Sequence, residues 1–241
     1  MVRPLKVLTY NVHGCVGSDL KLDPGRIAEV IKSCGADVVS LQEVDVGRAR
    51  SGGVDQAAFI ASHLRMNARF HPAVHHAEEK YGDAILTALP MRTVKVGRLP
   101  GAGEPRGAIW TEIEFEGRPI FVFNTHLGVW RRERGQQVKA LLGESWLGNA
   151  ACKGRDCILT GDFNAIPSSA VYRRITAQLN PALPGSRRIG KPTFPSRYPL
   201  LRLDHVFYKG GFECVESDVM TTQVSRIASD HRPLVATLAL E

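Results

Sequence analysis

The feature that most constrains this chain is a recurring unit: a short run of β-prone apolar residues that stops at an isolated polar side chain. Residues 5–10 stop at Asn11, residues 37–42 at Glu43, residues 119–124 shortly before His126, and residues 157–160 shortly before Asp162. Runs of this length and composition favour strands over helices. A hydrophilic group at the end of each run needs a surface there, and loops at strand ends are the usual home of functional groups in layered α/β architectures.

The segments between the runs supply helices. Asp23-Pro24 reads as an N-cap followed by proline at the first helical position. Ile27, Val30, Ile31 and Cys34 follow at helical spacing, and Gly35 can end the helix. Further helices are predicted over 56–64, 134–147 and 168–178. Further strands are predicted over 67–73, 84–88, 93–99, 108–115, 204–208, 212–219 and 233–240, with a polar, basic loop over 181–201. Many strands with a few helices predict two packed sheets with helices outside, an α/β sandwich. No Gly/Ser/Pro-rich linker divides the chain, so residues 1–241 are read as one domain.

Composition narrows the setting. A hydrophobic fraction of 44% with 23% charged residues suits a soluble globular protein. The start, Met-Val-Arg-Pro-Leu-Lys, has the charge of a signal segment but no apolar core behind it. No apolar stretch approaches the roughly 18 residues of a membrane span. The expectation is a cytoplasmic protein without stable membrane insertion, and no protein partner is implied. The five cysteines are odd in number and form no Cys-x-x-Cys pair, which signals neither a disulfide framework nor a thiolate zinc site. The formal charge of +7 suits a polyanionic partner such as nucleic acid or an anionic lipid surface.

Taken singly, the polar strand ends have ordinary explanations. Asn11 can cap a turn, Glu43 can be a solvated strand end, and Asp162 with Asn164 can form an Asx turn. His126 can be a hydrogen-bonded, partly buried histidine, and Ser229-Asp230-His231 an exposed loop. Taken together they form an ordered set: Thr9-Tyr10-Asn11-Val12-His13, Leu41-Gln42-Glu43-Val44, Tyr81-Gly82-Asp83-Ala84-Ile85-Leu86, Asn124-Thr125-His126-Leu127, Gly161-Asp162-Phe163-Asn164, Leu203-Asp204-His205 and Ser229-Asp230-His231-Arg232-Pro233-Leu234. This set resembles the endonuclease/exonuclease/phosphatase superfamily, in that family's order and from residue 9 to residue 234. The finer likeness, in residues 11–17 and in Pro105-Arg106-Gly107-Ala108, is to small bacterial members of unassigned substrate.

The resemblance implies a four-layer α/β sandwich of two packed, mainly antiparallel β-sheets flanked by helices. It also implies a phosphoester hydrolase that uses Mg²⁺, with Mn²⁺ as the other candidate ion. Glu43 is then the direct metal ligand, with Asn11 and Asp230 nearby or bound through water. A hard divalent ion prefers oxygen donors and keeps several waters, so one or two carboxylates suffice. Asp162 activates the attacking water and Asn164 holds Asp162 or a phosphate oxygen. His231, oriented by Asp204, donates to the phosphate, and His126 stands near the leaving oxygen. Arg106 is a further phosphate contact, its planar fork matching phosphate. Arg131, Arg132 and Arg134 are either phosphate contacts or a solvated helix start. Asp83 stands where many members carry asparagine, which puts a substrate role there in doubt.

Two departures bear on substrate. Asn164 is followed by Ala165-Ile166-Pro167 rather than the continuation typical of abasic-site endonucleases, and His126 occupies the Asn-Thr-His motif. Both point to the branch that holds pancreatic-type deoxyribonucleases, sphingomyelinases and inositol-phosphate phosphatases. The leading expectation is a DNA endonuclease, supported by the net charge and by the basic segment with Arg187, Arg188, Lys191, Arg197 and Arg202. The alternatives are a hydrolase of a phospholipid headgroup or small phosphoester, and a non-catalytic nucleic-acid-binding module.

Overall fold

A computed structural model describes residues 3–185 and 190–240. In chain order the elements are β1 (Leu5–Asn11), α1 (Pro24–Cys34), β2 (Val38–Val46), α2 (Gln56–Leu64), β3 (Asn67–His76), β4 (Glu79–Thr87), β5 (Met91–Arg98), β6 (Gly107–Phe115), β7 (Arg118–His126), α3 (Arg131–Leu141), β8 (Cys157–Asp162), α4 (Ala170–Thr176), β9 (Asn180–Pro181), β10 (Asp204–Lys209), β11 (Phe212–Val219) and β12 (Leu234–Leu240). The Asp23 carboxylate accepts from the Arg26 N–H, and Gly35 closes α1 with φ of 60°, as the sequence signals require.

The first sheet runs β11-β12-β1-β2-β4-β3 and the second β5-β6-β7-β8-β10-β9. Neighbours are antiparallel except for one parallel pair in each sheet, β1 with β2 and β7 with β8. Parallel strands need a crossover, which α1 supplies in the first sheet and α3 in the second. Strand alternation then sorts the side chains into layers. Leu8, Tyr10, Val39 and Leu41 pack outward against Ile27, Ile31 and Ile60 of α1 and α2. Phe121, Phe123 and Leu159 pack outward against Val138, Leu141 and Ile175 of α3 and α4. Leu5, Val7, Val38, Ile120, Val122, Ile158 and Val206 fill the space between the sheets. The result is the four-layer sandwich that the resemblance implied.

Along the inward faces the apolar residues give way to polar ones. β1 reads Leu5, Val7, Thr9, Asn11; β7 reads Ile120, Val122, Asn124, His126; β8 reads Ile158, Thr160, Asp162. Beneath the polar end lies a seam of side chains that join the sheets. Gln42 Nε2 donates to Asn124 Oδ1 at 2.7 Å, and Thr160 Oγ1 donates to Ser40 Oγ at 2.7 Å. Asn124 Nδ2 donates to the carbonyls of Leu41 and Ala84. Buried polar groups must be paired, and here the pairing fixes one sheet against the other directly below the strand ends.

Several predicted boundaries move, among them the strand expected over 84–88, which begins at Glu79. The third helix covers Arg131–Leu141 rather than 134–147. Beyond it the chain folds into tight turns in which the Leu147 N–H donates to the Leu141 carbonyl and the Gly148 N–H to the Gly143 carbonyl. Trp146 and Leu147 therefore reach the core from turns whose spacing imitates a helix. The second strand does not stop at Glu43 but continues to Val46, through a bulge between Leu41 and Val44. All five cysteines are free and buried. No helix among the described residues is long and apolar enough to cross a membrane.

Candidate active site

The polar ends of the inward faces meet at one end of the sandwich. Sheet register aligns Asp204 with Asp162, and Asp162 with His126, in one row across the second sheet. The neighbouring Gly161 has φ of 152°, and a side chain there would run into the Thr125 carbonyl at 2.0 Å, so glycine lets β8 lie close beside β7.

From the first sheet, Asn11 reaches the same place. Its Nδ2 donates to Glu43 Oε1 at 2.9 Å and to Asp162 Oδ2 at 3.1 Å. Its Oδ1 accepts the His13 N–H at 3.0 Å. The amide thus bridges two carboxylates, and one lone pair of the oxygen that the sequence assigned to a metal is already occupied. Strict alternation would send Glu43 outward with Val39 and Leu41. The bulge, with φ of 59° at Glu43, re-aims it toward the site.

The histidines differ in state. His231 Nδ1 donates to Asp204 Oδ2 at 2.8 Å, and its Nε2 lies 3.7 Å from Asp162 Oδ2. Burial pushes this imidazole down, but the Asp204 and Asp162 carboxylates outweigh burial and lift it to about 10. His231 is therefore an imidazolium at neutral pH. His126 goes the other way: burial and the Arg106 charge push it down to about 3. Arg106 Nη1, a donor, lies 2.9 Å from His126 Nδ1. That nitrogen must accept, which places the proton of the neutral ring on Nε2, 3.4 Å from Asp162 Oδ2. With Nε2 protonated, the Asn164 amide nitrogen beside it at 3.2 Å spends its donor on the Leu127 carbonyl at 2.9 Å instead.

Asp162 is the hub. Burial pushes its carboxyl up to about 7, against the opposing pull of His231 and of hydrogen bonds from the Asn164 N–H and Asn11. A carboxyl near 7 matches the pH at which a general base works best. Glu43 ends up well below the usual carboxylate range. Burial acts against this shift, but the hydrogen bonds from His13 and Asn11 prevail.

The acidic rim lies beside this hub. His13 Nδ1 sits between Glu43 Oε2 at 3.4 Å and Asp230 Oδ2 at 3.6 Å. Two carboxylates that face one point, with side chains 21% and 36% exposed, form a hard-oxygen donor set open to water, which fits a hydrated divalent ion. Asp162, Asp204 and His231 also come within 4.8 Å of one another in ligand atoms. There His231 spends Nδ1 on Asp204 and keeps Nε2, the arrangement in which a carboxylate orients a histidine toward a ligand.

The structure also reveals contributors that the sequence reading assigned no role. His13 occupies the carboxylate pair. The Ser229 hydroxyl donates to the Asn11 carbonyl at 2.8 Å, tying the loop before β12 to the end of β1. Phe194 packs on His231 with ring centroids 4.8 Å apart. Positions 13 and 229 lie inside quoted motifs, but Phe194 arises from long-range packing. Arg106 is buried, on His126 and on Glu104 at 3.0 Å. Asp83 is buried too, and burial pushes it up to about 8, so it stays a neutral acid at pH 7 and adds no charge beside the phosphate. In the basic loop, Arg187 and Arg188 lie outside the described residues. Lys191 pairs with Asp218 at 2.6 Å, and Arg202 is buried with Nη1 on the Lys191 carbonyl. Among the described residues of this loop, then, Lys191 is paired, Arg202 is buried and Arg197 is exposed.

Comparison with known proteins agrees with this geometry. The model of the Endonuclease/Exonuclease/phosphatase family matches residues 8–231. The chain is 26% identical to the uncharacterized protein YbhP of Escherichia coli (strain K12), over 98% of this chain and 96% of that one. In fold it is similar to an endonuclease/exonuclease/phosphatase from Beutenbergia cavernae, with a TM-score of 0.77, 22% identity and coverage of 99% and 72%. It is also similar to the mannosyl-6-phosphatase Bt3783 of Bacteroides thetaiotaomicron, with a TM-score of 0.76, 18% identity and coverage of 98% and 100%.

Proposed function

Because the chain belongs to the Endonuclease/Exonuclease/phosphatase family, whose members are generally phosphoester hydrolases, we propose that it is a divalent-metal-dependent phosphodiesterase acting on a nucleic-acid strand, with DNA as the first candidate. The observation that carries the reading is the set of N–H groups gathered around a single carboxylate. Asn11 Nδ2, His126 Nε2 and His231 Nε2 lie 3.1, 3.4 and 3.7 Å from Asp162 Oδ2. Donors fixed around a base in a water-poor site can receive the oxygens of an attacked phosphate.

Glu43 and Asp230 would hold the ion, Mg²⁺ or Mn²⁺, with Asn11 joining Glu43 to Asp162. When bound, the ion screens the phosphate charge and polarises a phosphoryl oxygen. Asp162 Oδ2 takes the proton of the attacking water. The charged His231 donates through Nε2 to a phosphoryl oxygen, with Asp204 keeping it protonated and oriented. His126 donates its Nε2 proton on the same side as Asn164, and Arg106 fixes which nitrogen carries that proton. Asn164 positions Asp162 through its backbone N–H.

The test is purified protein with supercoiled plasmid and Mg²⁺ or Mn²⁺, beside a chelator control and the Glu43→Ala variant. Metal-dependent nicking that disappears in the variant supports the reading, and intact plasmid throughout sinks it. A second reading, a small phosphoester, draws on a cavity of about 440 Å³ at Glu43, lined by Arg48, Arg50, Arg106 and Tyr81 among others. A sugar phosphate fits that volume, and one structural neighbour is a mannosyl-6-phosphatase. Turnover of phosphomonoesters with an intact plasmid would favour it.

A further inference from the structure

A second arginine-lined cleft, of about 350 Å³, opens between α3 and α4. Arg131 and Arg134 line one wall, Arg173 and Arg174 the other, with Ser168 and Ser169 at its end. Among the described residues none of these four guanidinium groups has a carboxylate partner within ion-pair distance. Instead three of them are held by carbonyls. Arg134 donates to Gly128 and Val129, Arg173 to Ser168 at 2.6 Å, and Arg174 to Gly135 at 3.3 Å. Arg134 Nε is buried without any partner. The one acid in this stretch of α3, Glu133, turns away and accepts the Gly103 N–H at 3.0 Å. Four like charges fixed along one cleft repel one another, and an anion entering it relieves that repulsion. Guanidinium forks recognise phosphate oxygens two at a time.

The cleft's position links it to the site. α3 begins five residues after His126, and α4 begins eight residues after Asp162, so both helices start at the catalytic end of the sandwich. The Leu127 N–H donates to the Asp162 carbonyl at 2.9 Å, locking the two segments together there. Trp130, the residue before α3 and four after His126 in the chain, is 63% exposed. An exposed indole beside arginines offers an unpaired base a stacking surface. A bilayer presents its phosphates on a plane, whereas a single strand can enter a cleft.

We propose that this cleft binds a phosphate flanking the scissile one on a single-stranded polynucleotide, with Trp130 stacking on a neighbouring base. This rests on the nucleic-acid reading of the catalytic site and extends it to a direction for the strand, out over α3 and α4.

The test is fluorescence anisotropy of a labelled twelve-residue oligothymidylate in chelator, so that binding is measured without turnover. The proteins are wild type, R173A/R174A and W130A, with melting temperatures recorded as a check on folding. The arginines are exposed, so the double variant should fold. Binding should weaken about tenfold in R173A/R174A and several-fold in W130A. The dependence of log affinity on log salt should flatten by about 0.7 for one lost phosphate contact on single-stranded DNA. Unchanged affinity and salt slope in the double variant would overturn the proposal. So would binding of anionic phosphatidylserine vesicles, lost in the same variant, in place of oligothymidylate. The two readings can fail separately. An oligonucleotide held by the cleft but never hydrolysed with metal present removes the nuclease and keeps the cleft. One hydrolysed with wild-type KM by R173A/R174A removes the cleft and keeps the nuclease.

Discussion

The two sheets contribute unlike halves to one site. The second sheet supplies Asp162, Asp204 and His126, with side chains 1%, 0% and 4% exposed, each at an inward position of its strand. The first sheet supplies Glu43, on a bulge, and the adjoining loops supply His13 and Asp230, whose side chains are 21%, 48% and 36% exposed. A buried half can hold proton-carrying groups at shifted pKa values, because low dielectric magnifies each charge. An open half can take an ion with its water shell still attached. Under the proposed function the difference becomes a division of labour: proton transfer in the dry row, ion exchange at the wet rim.

The largest expected effect separates these roles. Asp162→Asn should lower turnover by at least about 10²-fold, the low end for acid–base groups, whatever the metal concentration. Glu43→Gln should also lose activity, but raised Mg²⁺ should restore part of it, because the defect lies in ion affinity. Metal titrations of both variants by initial rate check this. If Asp162→Asn recovers with metal as Glu43→Gln does, the division fails.

The next effect lies in stability. His231 has a folded pKa of about 10 against an ordinary value of 6.5, so its stabilising contribution is complete below about 6.5 and fades as pH rises through about 10. Asp162 is raised to about 7 from 3.8. Its protonated form is favoured by folding, and that contribution too is lost as pH rises through about 7. Asp162 thus predicts unfolding free energy that falls from about pH 4 to 7, and His231 one that falls from about pH 6.5 to 10, measured by urea denaturation in chelator. Asp204→Asn removes the partner of a buried cation and should cost about 3 kcal/mol near neutral pH, with a flatter pH curve than wild type. A parallel curve would mean that His231 is not held charged by Asp204.

The dry half was far more legible in the sequence than the wet one. Inward parity alone places Asn11, His126 and Asp162 together once two sheets are assumed, and the Asp23 and Gly35 signals mark α1 at both ends. Glu43 defeats parity, because a bulge depends on how β2 pairs with β4 and no residue within β2 announces it. The helix expected over 134–147 ran too far because Trp146 and Leu147 keep helical spacing while sitting in turns. Arg202 misled for a related reason: composition counts it as surface charge, whereas it is buried against the Lys191 carbonyl. Arg173 and Arg174 drew no notice in sequence, since only the packing of α3 on α4 sets them opposite Arg131 and Arg134.

The smallest effect tests how the halves are joined. Asn11 links the wet rim to the dry row, and its own strand end is held by the Ser229 hydroxyl at 2.8 Å. Ser229 is fully buried, so Ser229→Ala leaves the Asn11 carbonyl without that donor, at a cost of about 1 kcal/mol in chemical denaturation. If the join matters beyond stability, the variant should also bind Mg²⁺ more weakly, because Glu43 depends on Asn11 for one of its hydrogen bonds. Calorimetric titration of the metal separates the outcomes. A stability loss with unchanged metal affinity would mean that the two halves meet at the site without depending on each other, and Asn11 would then serve the fold rather than the link.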